Sequence, residues 1–307
     1  LAEDPKCAEV IFPLFNGQDL NTMPRLEPYR WVIYFRDWPE ERARQYGPAF
    51  QRVETLVKPY RDSLTGQIHQ DCFWKFWDLR PVLMKEFAKK QFVLAIASVT
   101  KYLCVSRVST SAVYNMQVKV LFYDRFAELA ILQSTLHDVW ARLLCGTLGA
   151  STLRYSTSSV LETWPMPALD GNVDLDNLGE RYHAHRESLM AEEALGLTQL
   201  YNRFHDPLDA DARIRAMREL HREMDLAVAR AYGWDDLDLE HGFHEMPYLP
   251  ANDRVRFTFG ARARHEVLRR LSDLNRQRYE EEVAQGLHGK ATVQCRTARC
   301  RREKGGI

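Results

Sequence analysis

The chain is 307 residues long and 45% hydrophobic, enough for two modest domains with a sizeable core. Its 42 Lys and Arg balance 42 Asp and Glu, which excludes a globally basic nucleic-acid binder and leaves such a role only to a local patch. Six cysteines, Cys7, Cys72, Cys104, Cys145, Cys295 and Cys300, form no Cys-x-x-Cys pair, which excludes a sequence-local zinc site and fits reduced thiols. The sequence starts at Leu1 without a basic-then-apolar leader, and it has no apolar run of the roughly 18 residues that a membrane span needs. A cytoplasmic fragment of a longer protein, with no membrane partner, is the expectation.

In chain order, the first half reads as mixed α/β. Trp31 to Phe35 is β-prone, and Asp37-Trp38-Pro39-Glu40-Glu41 sets a helix start with acids facing the dipole. A second helix follows Pro48, with Phe50, Val53, Leu56 and Val57 on one face until Pro59. Gln91 to Tyr123 is the clearest β region, with strands at Phe92–Ala97, Tyr102–Val105 and Val113–Phe122. Asp124 then caps one helix with a buried stripe from Phe126 to Leu143. After Trp164-Pro165-Met166-Pro167 the chain becomes charged and helical, with apolar spacing from Ile214 to Tyr232 and a last helix from about Ala261 to about Gln285. The expected division is a lead-in over 1–9, an α/β domain over 10–167, a linker over 168–178, a helical domain over 179–288 and a basic, disordered end over 289–307.

Much chemistry is absent from the sequence. Methyl transfer to a base amine needs a glycine loop for S-adenosylmethionine and a Pro-Pro-aromatic motif for the flipped base; the chain has neither a Gly-x-Gly nor a Pro-Pro. No glutamate is followed two positions later by lysine, as the common metal-dependent nuclease element requires. His183, His185, His205, His221, His241 and His244 all fall in the helical half. The pair His241 and His244 has metal-ligand spacing but no third ligand at an obvious interval. No Gly-x-Ser-x-Gly elbow supports a serine nucleophile.

Several segments, taken in order, resemble one family. They are Phe15-Asn16-Gly17-Gln18-Asp19-Leu20-Asn21, Arg30 to Phe35, Val53 to Asp62, Phe73-Trp74-Lys75-Phe76-Trp77, Leu153-Arg154-Tyr155-Ser156, Glu162 to Pro167 and Tyr201 to Pro207. Together they resemble the C-terminal target-recognition region of type IIG restriction-modification enzymes and related phage-defence adenine-specific DNA methyltransferases. The resemblance covers about Val10 to about Gln285. It implies an α/β (α+β) recognition domain whose mixed or antiparallel sheet is flanked by helices, followed by a helical C-terminal domain. It implies double-stranded DNA as partner and an upstream methyltransferase domain, absent from this chain, that binds S-adenosylmethionine; the chain itself is expected to hold no cofactor and no metal.

By analogy with that family, the base-reading side chains are expected at Lys101, Tyr102 and Ser106, then Arg107, Asn115 and Gln117. The alternative for each is an ordinary solvent-facing strand residue. Lys75, Lys119, Arg154 and Ser156 are the expected phosphate contacts, with a helix-end cap as the structural alternative for Arg154. The aromatic run Phe73, Trp74, Phe76 and Trp77 either stacks on an extruded base or packs in a core. Asn202 to Pro207 reads as a helix stop, or as a place where Arg203 meets the DNA backbone. The run Arg262 to Arg270 reads as a solvated helix face. The rival functions are a protein-interaction scaffold with a helical subunit-binding tail and a metal-independent hydrolase.

Overall fold

The computed structural model describes residues 4–65, 70–76, 78–148, 151–169 and 173–288. In chain order the elements used below are β1 (Ile11–Phe15), α1 (Gly17–Thr22), β2 (Trp31–Ile33), α2 (Glu40–Arg44), α3 (Gly47–Leu56), α4 (Lys58–Asp62), α5 (Pro81–Phe87), β3 (Phe92–Ala97), β4 (Val99–Thr100), β5 (Ser106–Ser109), β6 (Val113–Tyr114) and β7 (Val118–Leu121). They continue with α6 (Phe126–Gln133), α7 (Thr135–Leu144), β8 (Thr147–Leu148), β9 (Thr152–Arg154), α8 (Val173–Glu192), α9 (Leu197–Phe204), α10 (Ala212–Ala231), β10 (Gly242–Glu245), β11 (Val255–Thr258) and α11 (Ala261–Ala284). The architecture is therefore mixed α/β, with small sheets flanked by helices and a largely helical C-terminal region.

Contacts divide the described residues into two units. The first draws on Leu1–Phe12, Trp31–Leu83 and the chain from Glu280; the second on Pro13–Arg30 and Met84–Tyr279. This division does not follow the expected linker at 168–178. One apolar cluster runs from Leu94 and Ile96 in β3 through Leu175, Tyr182, Met217 and Val228 to Leu271 in α11, so strands and tail helices bury one another.

In the first unit, α2 and α3 wrap an aromatic core. Phe35 packs at 6.4 Å from Tyr46 and 6.0 Å from Phe50. Trp38 stacks on Tyr46 at 5.4 Å, and the Trp74 indole donates to the Trp38 carbonyl at 2.9 Å. The proline-led helix ends one turn before Pro59, which then opens α4 from its first turn, where its missing N–H costs nothing.

In the second unit, β3 is the central strand of an antiparallel sheet ordered β5-β3-β7, with Ala95 opposite both Ser106 and Val120. Val93 to Ala97 are all buried, as befits a strand covered on both faces. A second antiparallel sheet runs β4-β9-β8, and the end of β1 pairs parallel to β6 through Leu14 with Val113 and Phe15 with Tyr114.

Five sequence expectations change. Tyr102–Val105 is buried but carries no strand; the strand begins at Ser106. Val113–Phe122 is broken by the turn Asn115 to Gln117, where the Asn115 carboxamide oxygen accepts from the Gln117 N–H at 2.9 Å. The single helix after Asp124 is two helices, because Ser134 is extended (φ −60, ψ 156) and caps α7. Glu128 rather than Asp124 closes the start of α6, accepting from the N–H groups of Asp124 and Arg125 at 3.0 Å each. The tail is not wholly helical either: β10 and β11 form a hairpin, with Phe243 opposite Phe257. Its signal was the alternation Val255-Arg256-Phe257-Thr258.

Two features of the second unit have measurable consequences. Gly179 lies inside α8, where glycine is unfavourable by about 1 kcal/mol, yet a Cβ there would sit 2.1 Å from the Phe126 carbonyl oxygen of α6. The glycine permits the two helices to touch backbone to backbone. Gly179→Ala is expected to destabilise the chain by about 1–3 kcal/mol in urea unfolding, and a gain in stability from the better helix former would contradict this crossing.

His137 is the second. Its Nδ1 donates to the Leu132 carbonyl at 2.6 Å, its Nε2 accepts from the Tyr155 hydroxyl at 3.2 Å, and burial pushes its pKa down to about 4. Burial, reinforced by Arg256 and Arg142, also pushes the His205 pKa well down. An unfolded histidine takes a proton near pH 6.5 while these two stay neutral, so stability is complete above that pH and is lost as pH falls toward 4. Unfolding free energy at pH 5 is expected to lie about 2 kcal/mol or more below that at pH 7.5; no change across this interval would contradict the neutral buried rings.

Candidate nucleic-acid interface

The expected base-reading residues separate into two sets. Tyr102 and Ser106 belong to the core, at 4% and 1% exposure, because Ser106 and Val108 are the inward positions of β5. The Tyr102 ring stacks 4.9 Å from His205, and its hydroxyl, its pKa raised by burial, donates to the Asn202 carboxamide oxygen at 2.9 Å. Lys101 is held by Asp253 at 3.0 Å and Asn202 at 2.8 Å. Burial works against its ammonium, but Tyr102 and Asp253 outweigh that and hold its pKa up. Burial likewise opposes the Asp253 carboxylate, and Arg256 with Lys101 brings its pKa down. Arg107 lays its guanidinium 3.9 Å from the Phe92 ring. Lys101, Tyr102 and Arg107 thus have side-chain partners within the protein, and Ser106 is buried.

Asn115 and Gln117 stand at the surface, and the structure surrounds them with residues to which the sequence assigned no reading role. The turn Asn115-Met116-Gln117 exposes Met116 to 76% and leaves Gln117 exposed and Asn115 half-exposed. Ser98, at the junction of β3 and β4, fastens this turn: its N–H donates to the Gln117 carbonyl at 2.7 Å and its hydroxyl to the Met116 carbonyl at 3.3 Å. The Ser98 carbonyl accepts from the Tyr155 N–H at 2.8 Å, and Val99 pairs with Arg154. From the other side, Asn21 donates to the Val99 carbonyl at 3.1 Å and accepts from the Thr100 hydroxyl at 3.0 Å. A Cβ on Gly17 would come within 3.0 Å of the Gln117 carbonyl oxygen, so glycine there lets α1 approach the turn and places exposed Gln18 beside it.

The result is one rim in the second unit that presents Gln18, Asn115 and Gln117 amides, the Met116 side chain and the Arg154 guanidinium, with Asn21 as a positioning residue. The Gln18 and Gln117 amides each offer a donor and an acceptor on one group, the geometry that matches an adenine edge bidentately, whereas the Asn115 oxygen is held by the Gln117 N–H and its NH2 is left to donate. Gln18 and Asn21 lie in the Phe15 to Asn21 segment of the family resemblance, which is the signal that pointed to them.

Arg154 is exposed at the end of β9 and has no ion pair among the described residues. The capping role considered for it falls instead to Ser156, whose hydroxyl accepts from the Ser159 N–H at 3.3 Å at the head of the turn Thr157–Leu161. Lys119 is half-buried in β7, opposite Ile96. Lys75 lies in the first unit, its ammonium 5.7 Å from the Trp74 ring. The aromatic run there divides: Phe73 is core at 5% exposure, Phe76 is 40% exposed, and Trp77 lies outside the described residues.

Arg203 is surrounded by Glu193, by Asp209 at 2.7 Å and by Asp211 at 3.0 Å. The C-terminus of α9 is closed by Arg218, which donates to the carbonyls of Phe204, Arg203 and Asp206 at 2.8 to 2.9 Å. His241 donates to Asp225 at 2.9 Å, and His244 donates to the Glu240 carbonyl at 2.7 Å. Among the described residues no three His, Cys, Asp or Glu side chains come together around a metal-sized position. None of the described helices is long and apolar enough to cross a membrane.

Comparison with known proteins places the chain. The family described as MmeI, target recognition domain, matches residues 1–168. No match is found among curated proteins. A solved structure of the type IIL restriction-modification enzyme MmeI in complex with DNA is similar in fold, with a TM-score of 0.60 and 15% identity over 90% of this chain. That similarity spans 32% of the solved chain.

Proposed function

The chain belongs to the MmeI target recognition domain family, and on that premise we propose that it reads base edges of double-stranded DNA on behalf of a restriction-modification enzyme. The observation that carries this reading is the rim of Gln18, Asn115 and Gln117 with Arg154 beside it, rigidly fastened by Ser98 and Asn21. Amides held by a sheet end distinguish bases in the major groove, while an unpaired guanidinium suits a phosphate oxygen. Near-neutral overall charge fits recognition through a small local surface rather than through a basic face.

The finer assignment is that the parent enzyme is a site-specific adenine methyltransferase of the restriction-modification kind working in phage defence in the cytoplasm. Sequence resemblance supports type IIG; the solved relative is described as type IIL. S-adenosylmethionine does not fit this chain, which has no Gly-x-Gly loop and no Pro-Pro motif. Methyl transfer is assigned to a methyltransferase domain of the same protein outside this sequence.

Selection from a randomised duplex pool, followed by fluorescence anisotropy, tests the reading. The selected duplex is expected to bind more tightly than its scrambled counterpart; equal binding at low salt would sink the proposal. Gln117→Ala and Asn115→Ala are each expected to reduce that preference about 10-fold. Arg154→Ala is expected to weaken both duplexes alike and to shallow the slope of log affinity against log salt by about 0.9 between roughly 50 and 200 mM.

A further inference from the structure

The first unit contains a cavity of about 290 Å³ bounded by β2, α3 and the segment Phe73 to Phe76. Phe73 and Trp74 on its wall belong to the aromatic core, whereas Trp31 and Phe76 stand at its mouth. Trp31 is 62% exposed, and Phe76 is 40% exposed. Trp74 is fixed in place by its indole bond to the Trp38 carbonyl at 2.9 Å and by an edge contact with Phe73 at 5.4 Å. Three cations line the same cavity, Arg52, Arg61 and Lys75, and no carboxylate side chain does. Arg61 donates to the Lys75 carbonyl at 3.0 Å, which fixes the two relative to one another. None of the three has an ion pair among the described residues, although Arg44 and Lys58 nearby in sequence are paired with Glu54 and Asp62.

An aromatic-walled cavity ringed by unneutralised cations selects a ligand that is flat, apolar on its faces and negatively charged at its edge. An acidic peptide supplies the charge but no ring, and a plain apolar segment supplies neither. We propose that this cavity binds an unpaired nucleotide of a nucleic-acid strand, its base stacked against Trp31 and Phe76 and its phosphate held by Arg52 and Lys75. Stacking of this kind tolerates any base, since every base has a π face. The site therefore adds affinity without sequence preference. The proposal does not depend on the duplex-reading rim, whose residues belong to the other unit, and its failure leaves that reading intact.

The test uses the full chain and a fluorescein-labelled eight-nucleotide single strand, compared with an abasic strand of equal charge and an octaglutamate peptide. The single strand is expected to bind about 10-fold more tightly than the abasic strand. That preference is expected to disappear in Trp31→Ala and Phe76→Ala, while Arg52→Gln weakens both strands. Trp31 is exposed, while Phe76 also packs 5.5 Å from the buried Tyr34 ring, so Trp31→Ala carries the test and thermal unfolding of both variants is measured beside binding. The preference of the chain for its selected duplex is expected to survive in Trp31→Ala. Equal binding of intact and abasic strands, octaglutamate binding as tight as the single strand, or an unaltered preference in both ring variants would each overturn the proposal.

Discussion

A guanidinium buried in the second unit holds together what the chain would otherwise leave unsatisfied. Arg186 of α8, 1% exposed, donates to the Val105 carbonyl at 2.8 Å and to the Gln133 carboxamide oxygen at 3.1 Å. Gln133 in turn accepts from the Val105 N–H at 2.8 Å and donates to the Leu103 carbonyl at 3.2 Å. The segment between β4 and β5 runs through the interior without a strand partner, and buried backbone groups in that position are costly unless bonded. Two side chains from two helices supply the bonds. Replacing either by an apolar residue would strand several polar groups at once, a larger loss than the bonds themselves are worth in water.

This arrangement explains why the helices after residue 168 are not an accessory. Arg186 reaches back into the region that the family covers, and α10 does the same through Asp225, which accepts from the Thr135 N–H at 2.7 Å. Asn275 of α11 donates to the Thr163 carbonyl at 2.6 Å. With the interior fixed in this way, the β3–β4 junction becomes a rigid edge, and Ser98 passes that rigidity to the Asn115 to Gln117 turn. Amide side chains discriminate bases only when their orientation is set in advance, since a freely rotating amide satisfies any donor and acceptor pattern.

Elements with a strong local signal were legible in the sequence. β3, the α2 start at Pro39, the helix stop at His205 and the last helix follow from alternation, capping chemistry and apolar spacing. The family was legible as well, from several short segments in order. The faces of the site were less so. Lys101 to Arg107 has the composition of a reading strand, but Lys101 is neutralised by Asp253 from far along the chain, and Tyr102 is covered by His205 at the C-cap of α9. Pairings over such separations leave no local mark. The break at Ser134 is a single capping residue inside an otherwise continuous apolar stripe, and each strand of the β10–β11 hairpin is only four residues long, between two long helices. Gln18 was visible in a quoted motif without a physical reason to single it out, and only its approach to Gln117 through Gly17 supplies one.

The central claim is that the Asn115 to Gln117 turn faces base edges. Met116 stands at its tip, and a photoreactive phenylalanine analogue in its place reports directly on what the turn touches. The account predicts crosslinks from position 116 to bases within the selected duplex, and none from the same analogue at Leu208, which is 87% exposed on the second unit. Crosslinking to the duplex from position 208 but not from position 116 would contradict it.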